Sequence, residues 1–513
     1  MSLLRVATLL LLVSAAILSG CGQREDLSTE PVEPFPGQTV RVAAIGDPAI
    51  LETAALQIGE WEQTRGGRIE IRKTPIEPGE PIQGVDVLLF PGDQVGHLID
   101  VGAIEVIPDS VIQPAAPGRT DWDDRDGSPE PLADPLAFEQ IVPVYRDQVI
   151  RYGDRRIGLP YGGSALVLVY RKQALEAGAG ESPRELPRTW EQLDALARSL
   201  QGIDWNGNGD SGAGIALALG ADPEGVGTMI LLARASALGM HPDYYSLHFD
   251  SDTMEPRIAS APFVEALRDL VALKEAGPSG MESFDIEAAR EAFRSGKVAL
   301  LIDRAERVHR WVDREATSKV GVAPLPGSDR VYHPFRKVWE EVETPNRASY
   351  LPVGGGWIVG VPTQAAQRAA AQDFARFLIE PETALRIRSD RAFPMVPVRG
   401  ALIGQGPPDP RSIAAVDLLS WSEAVSRTFM APQVVLGLRI PEAEGYLADL
   451  DRARVAAASG AEAEAALEGA AEAWRNRTER LGKARQLWHY RRSLNALATS
   501  PEPPPRTPSE GSR

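Results

Sequence analysis

The chain reads as an α/β protein. From residue 39 onward short apolar strand patterns alternate with segments of helical spacing, and the run 85–90 is apolar on both faces, broken only by Asp86. A strand buried on both faces needs helices above and below it, and β-α-β-α order places them around a parallel sheet. With 43% hydrophobic and 24% charged residues in 513, the chain has the balance of ordinary globular protein and the length of two or three domain-sized units.

The elements follow in order. Residues 39–45 read as a strand, 48–64 as a helix, 68–72 as a strand with Ile69 and Ile71 on one face, 85–90 as the buried strand and 93–101 as a short helix. A second cycle begins at Arg151 and runs through Ile157-Gly158-Leu159-Pro160-Tyr161 into a strand at 165–170. Thr189 caps the next helix, with Gln192 at the capping-box position. A strand at 214–219 precedes a helix at 260–275, with Ser260 as cap, Pro262 in the first turn and Gly277 as stop. A helix at 285–293, strands at 297–303, 320–323 and 356–361, and an amphipathic helix at 363–378 complete the pattern. After Arg411 it is mostly helical to about Leu497.

The ends carry their own signals. Arg5, the apolar run 6–18 and Leu18-Ser19-Gly20-Cys21 make residues 1–20 an export leader, too short to span a bilayer. The tetrapeptide resembles the bacterial lipobox, which makes Cys21, the only cysteine in the chain, the lipidation site. Residues 21–38 read as a flexible linker and 498–513 as a disordered tail. The implied location is the periplasmic or extracellular face, with a membrane anchor at the N-terminus. A net charge of -17 excludes nucleic acid and anionic lipid surfaces as partners.

Catalytic signals are sparse. The six histidines do not cluster in sequence, no zincin, nucleophile-elbow or P-loop pattern occurs, and Gly354-Gly355-Gly356 lacks the strand-then-helix setting of a dinucleotide fingerprint. The expectation is a non-enzyme with no cofactor. One loop resembles the start of a calcium loop: Asp204, Asn206, Asn208 and Asp210 offer oxygens at alternate positions with Gly209 at the turn, but the twelfth position is Ile215 instead of an acid. An Asn/Gly turn is the favoured reading there. The acidic stretch 121–127 reads as a solvated loop.

Five ordered motifs point to one family. Tyr152-Gly153-Asp154-Arg155-Arg156-Ile157-Gly158-Leu159-Pro160-Tyr161 with Leu168-Val169-Tyr170-Arg171-Lys172, then Leu186-Pro187-Arg188-Thr189-Trp190-Glu191-Gln192-Leu193, then Phe293-Arg294-Ser295-Gly296-Lys297-Val298-Ala299-Leu300, then Gly355-Gly356-Trp357 and Phe393-Pro394-Met395-Val396-Pro397-Val398-Arg399 resemble signatures of the family 1 extracellular solute-binding proteins. These are the maltose-binding-protein-like receptors of bacterial ABC importers. Arg171 stands where the family has asparagine and Leu300 where it has methionine, which leaves the sugar specificity open.

The resemblance implies a two-lobed, periplasmic-binding-protein-like II fold with crossing strands at the hinge and a helical C-terminal part. The boundaries drawn from it are 39–163 and 303–351 for lobe one, and 164–302 and 352–497 for lobe two. It implies a small solute, most simply a mono- or oligosaccharide, bound between the lobes and passed to ABC permease subunits with no bond broken. The expected cleft residues are Asp47 and Asp93 at strand ends, and Tyr161, Asp303, Arg304, Tyr350 and Trp357 beside the crossings. Asp47 and Asp93 fit helix caps as well, and Trp357 fits core packing as well as sugar stacking. The alternatives are a receptor-fold lipoprotein acting as sensor or structural protein, and an exported glycan-processing enzyme using acids near Asp93 or Asp303.

Overall fold

A computed structural model describes residues 34–112, 136–177, 184–312, 320–388, 394–405, 416–496 and 502–505. The leader, Cys21, the linker to residue 33, the acidic stretch 121–127, Phe393, and residues 498–501 and 506–513 of the tail lie outside the described residues.

Two sheets organise the chain. The first contains β1 (Thr39–Ala44), β2 (Arg68–Ile71), β3 (Val87–Pro91), β6 (Leu159–Gly163) and β14 (Gly356–Gly360), in the order β2-β1-β3-β14-β6. The short pair β4 (Arg151–Tyr152) and β5 (Arg155–Arg156) leads into β6. The second sheet contains β7 (Leu166–Arg171), β8 (Ala213–Ala216), β9 (Val298–Arg304) and β10 (Val320–Pro324), in the order β10-β7-β9-β8. The chain passes from the first sheet to the second across Ser164 and Ala165.

Every residue of β3, β6 and β7 is buried, the signature of strands covered on both faces. Asp86 interrupts the apolar run because it is a connector. Its carboxylate accepts from the Arg41 amide at 2.9 Å and from the Ala366 and Gln367 amides at 2.8 and 3.0 Å, so β3 starts one residue later. Trp61, fully buried, donates Nε1 to Asp373 at 2.8 Å and so ties helix Ile58–Arg65 to helix Arg368–Ile379.

Most of the expected elements form, with local differences. The segment 48–64 is two helices, Pro48–Ala55 and Ile58–Arg65. Thr189 caps helix Trp190–Leu200 through the Gln192 amide, while the Gln192 side chain reaches the Arg188 amide, one residue before the cap. Ser260 sits at the N-cap of helix Ala261–Ala272 without a side-chain bond. Strands β11 (Ser328–His333), β12 (Val338–Asn346), β13 (Ala348–Leu351) and β15 (Gln433–Leu436) were not expected. The β11–β12 hairpin is largely polar and half-exposed, and therefore carries no apolar alternation.

The lobe boundaries drawn at 303 and 352 do not follow the sheets. β10 pairs antiparallel with β7, so residues 320–324 belong to the second sheet and not the first. β14 inserts between β3 and β6, so 356–360 belong to the first. Helix Arg368–Ile379 then packs on the first sheet, whereas helices Leu418–Phe429, Ala443–Ala458 and Ala463–Leu481 pack on elements of the second. Pairing decides the difference: a short apolar strand fits either sheet by composition, and only its neighbour settles which.

Candidate functional site

The C-terminal ends of β1 and β3 carry Asp47 and Asp93. Gly46, at φ 82, turns the chain after β1, and Asp47 caps helix Pro48–Ala55 by accepting from the Ala49 amide at 2.9 Å. Its other oxygen lies 3.3 Å from Arg307 on helix Ala305–Trp311, which follows β9. One carboxylate thus caps a helix on the first sheet and pairs with a cation from the second.

After β3 the chain turns through Gly92–Gln94. This turn lies directly against Gly354. A Cβ on Gly354 would overlap the Asp93 backbone nitrogen, and one on Gly92 would overlap the Gly354 carbonyl. Gly354, Gly355 and Gly356 all have positive φ, at 58, 105 and 141. The triple glycine therefore lets the return crossing press on the loop that carries Asp93.

Asp93 and Gln94 form one wall of a cleft of about 670 Å³. The opposite wall comes from Glu442 and Glu444, at the start of helix Ala443–Ala458, and from Arg480 and Gln486. Gln94 Nε2 donates to Glu444 Oε1 at 2.8 Å across the rim. Asp93 Oδ1 is buried with no hydrogen-bond partner. Burial, then the Glu444 charge, pushes the Asp93 carboxyl up to about 7. Burial likewise raises Glu444, with Glu77 adding to it against the Gln94 hydrogen bond.

The end of β9 carries a network of opposed charges. Arg304 pairs with Glu224, and Arg290 reaches Glu224 at 2.7 Å and Asp303 at 2.8 and 2.9 Å. Burial alone would raise Glu224, but the Arg290 hydrogen bond and the Arg304, Arg290 and Arg307 charges hold it at about 2.

A profile of the bacterial extracellular solute-binding proteins matches residues 64–385, well over half of the chain. The chain belongs to that family. Solved structures agree on a two-lobed fold. An ABC transporter solute-binding protein from Agrobacterium radiobacter K84 in complex with ribitol is 20% identical, with a TM-score of 0.59 over 86% of this chain and 99% of that one. Maltose-bound T. maritima MalE3 is 18% identical, at 0.58 over 86% and 100%. A solute-binding protein from Thermotoga lettingae TMO bound with alpha-D-tagatose is 19% identical, at 0.57 over 86% and 99%. No curated protein matches the chain in sequence.

The seven expected cleft residues of this solute-binding protein do not share one wall. Asp93 lines the 670 Å³ cleft, Asp47 stands in an interlobe ion pair with Arg307, and Arg304 pairs with Glu224 inside the second lobe. Tyr350 is buried, its phenol raised by burial and then by the Asp93 charge. Asp303 is fully buried and fully satisfied, accepting from Arg290, from Trp311 Nε1 at 2.8 Å and from the Arg304 amide at 2.7 Å. It is a structural anion for Arg290 and has no face for a ligand. Tyr161 hydrogen-bonds Thr53 at 2.6 Å under helix Pro48–Ala55, beside a cavity of only about 20 Å³. Trp357 is 8% exposed in mid-sheet, level with Pro91 and Gly162, and does not line the 670 Å³ cleft.

Sequence reasoning missed Gln94, Glu224, Arg307 and Glu444. Gln94 adjoins Asp93 and was within reach of the strand-end argument. Glu444 was not, because an acid in the first turn of a helix is ordinary dipole chemistry.

Among the described residues two groups carry metal-ligand chemistry. In the Asp204 loop the oxygens serve their own backbone: Asp204 accepts from the Asn208 and Gly209 amides at 3.1 and 3.0 Å, and Asn208 Oδ1 from the Asp210 amide at 2.8 Å. His241, His333 and Glu340 bring ligand atoms within 4.8 Å of one another. Yet both histidines accept a backbone N–H at Nδ1, from Asp243 at 3.1 Å and Arg336 at 3.3 Å. That puts the proton on Nε2, and His241 Nε2 faces Glu340 at 3.3 Å. The arrangement is that of a hydrogen-bonded cluster.

Proposed function

We propose that this solute-binding protein is the membrane-tethered receptor of an ABC importer. It takes up a small polyhydroxylated solute, a sugar or polyol, between its lobes outside the cytoplasm and hands it to permease subunits. Lipid on Cys21 holds it at the membrane. The observation that carries the reading is Asp93: a carboxyl with a buried, unpartnered Oδ1 in a cleft of about 670 Å³, a size that suits small-molecule sites. Gln94 and Glu444 beside it add a carboxamide and a second carboxyl, groups that match ligand hydroxyls. Ribitol, maltose and alpha-D-tagatose in the similar structures fit the same chemistry.

Closure follows from the geometry. A solute first held by the loops after β2 and β3 is enclosed when the N-terminus of helix Ala443–Ala458 meets Gln94, and loss of water strengthens each polar contact. The test is a calorimetric screen of polyols, mono- and oligosaccharides and amino acids, with the mixture checked for unaltered solute. Saturable binding of a polyol or sugar, recovered intact, is the expected result. Binding of amino acids alone, or conversion of the solute to product, overturns it.

A further inference from the structure

The last helix, Lys483–Ser493, touches both lobes with different faces. Toward the first lobe, His489 Nε2 lies 2.9 Å from Asp100 Oδ1, and Arg485 donates to the same oxygen at 2.5 Å. Tyr152 donates to the His489 carbonyl at 2.9 Å, the Gly153 amide to the Arg492 carbonyl at 2.8 Å, and Arg492 to Asp154 at 2.8 Å. Toward the second lobe, the Tyr490 phenol accepts from the His248 and Phe249 amides at 3.2 Å each and lies 2.6 Å from Ser246 Oγ. Ser246 donates its own proton to the Phe249 carbonyl, so Tyr490 donates to Ser246 and its oxygen is fully used. Arg491 adds bonds to the Ser251 carbonyl at 2.7 Å and Asp252 at 2.8 Å.

We propose that this helix is a strap that sets the angle between the lobes. The bonds to Asp100, Tyr152, Gly153 and Asp154 fix it to the first lobe. Its hold on the second lobe includes the Tyr490 phenol and ring, the Arg491 clamp, the Gln486 bond to the Pro441 carbonyl and the chain itself at Gly482, whose φ of 90 marks a pivot at the end of helix Ala463–Leu481. Opening therefore leaves the helix on the first lobe, turns the chain at Gly482 and withdraws Tyr490 from Ser246, His248 and Phe249. Asp100 and Arg485 also line the 670 Å³ cleft, so the strap and the proposed solute site share a wall, while Tyr490 and Arg491 lie outside it.

Small-angle scattering on the full-length chain, with Cys21→Ser in every arm, tests it without a ligand. Tyr490→Phe keeps the ring against Phe249, 5.2 Å away, and removes the phenol. It is expected to raise the population of open particles on the order of tenfold, seen as a larger radius of gyration. Arg491→Ala, at the surface, is expected to shift it the same way by less, and decides the matter if Tyr490→Phe does not fold. Tyr446→Phe is the control: it loses a comparable buried bond, to Thr478 at 2.9 Å, inside the second lobe alone, and is expected to leave the radius unchanged. Scattering from Tyr490→Phe and Arg491→Ala superimposable on the parent's, or equal opening by Tyr446→Phe, overturns the strap.

Discussion

Asp93→Asn is expected to make the protein more stable and a poorer receptor. The wild-type carboxyl moves from the usual 3.8 up to about 7 on folding, because burial and then Glu444 disfavour its charge. A raised acid pKa means that the folded state holds its proton longer than the unfolded state. Wild-type stability is therefore intact below pH 4 and falls as pH rises from there through 7. Roughly three pKa units correspond to about 4 kcal/mol at full effect. Water in the cleft and sharing of the charge with Glu444 reduce this, and about 2 kcal/mol is expected at pH 8. Asparagine cannot ionise and escapes the penalty. Scanning calorimetry should then show the variant melting roughly 4 °C above wild type at pH 8 and level with it near pH 4. Solute affinity should drop about tenfold or more, since a charged acceptor is replaced by a neutral amide. A melting difference that does not change between pH 4 and pH 8 would refute the reasoning on Asp93.

Further outcomes follow from other sites. Cys21→Ser is expected to abolish incorporation of labelled fatty acid and release a folded protein, and equal labelling of both forms counts against the anchor. Trp357→Ala, at 8% exposure in mid-sheet, is expected to cost about 3–5 kcal/mol in denaturant unfolding; unchanged stability with lost affinity would return Trp357 to the ligand. Gly354→Ala is expected to destabilise by more than about 2 kcal/mol, because φ is positive and the new methyl meets the Asp93 backbone, and wild-type unfolding would contradict the contact.

The fold was legible where burial and pattern coincide. The double-sided apolar run around Leu88 and Leu89 marked a central strand, and Thr189 and Asp285 marked helix starts that the side chains do cap. Sheet membership was not legible: nothing in Val320-Gly321-Val322-Ala323 says that its partner is β7. At the site, strand-end position found Asp47 and Asp93, because loops after parallel strands converge on one edge. The separate argument from crossings chose Asp303, and failed there because an acid beside a crossing can equally be the counter-ion of a buried arginine. That arginine, Arg290, lies on a helix turn that looks like solvated surface in sequence. Glu444 faces the cleft only because helix Ala443–Ala458 packs on the second lobe, a tertiary fact with no local trace.

The insertion of β14 between β3 and β6 bears on how the chain matures. The middle of the first sheet is empty until residues 356–360 arrive, so β6 has no neighbour on its inner edge and β3 none on that side. Closing so long a loop is slow, and an unpaired apolar edge is sticky while it waits. A chain made N-terminus first presents that edge until residue 356 is added. It is then a half-built first lobe beside a second lobe whose four strands are already all in place.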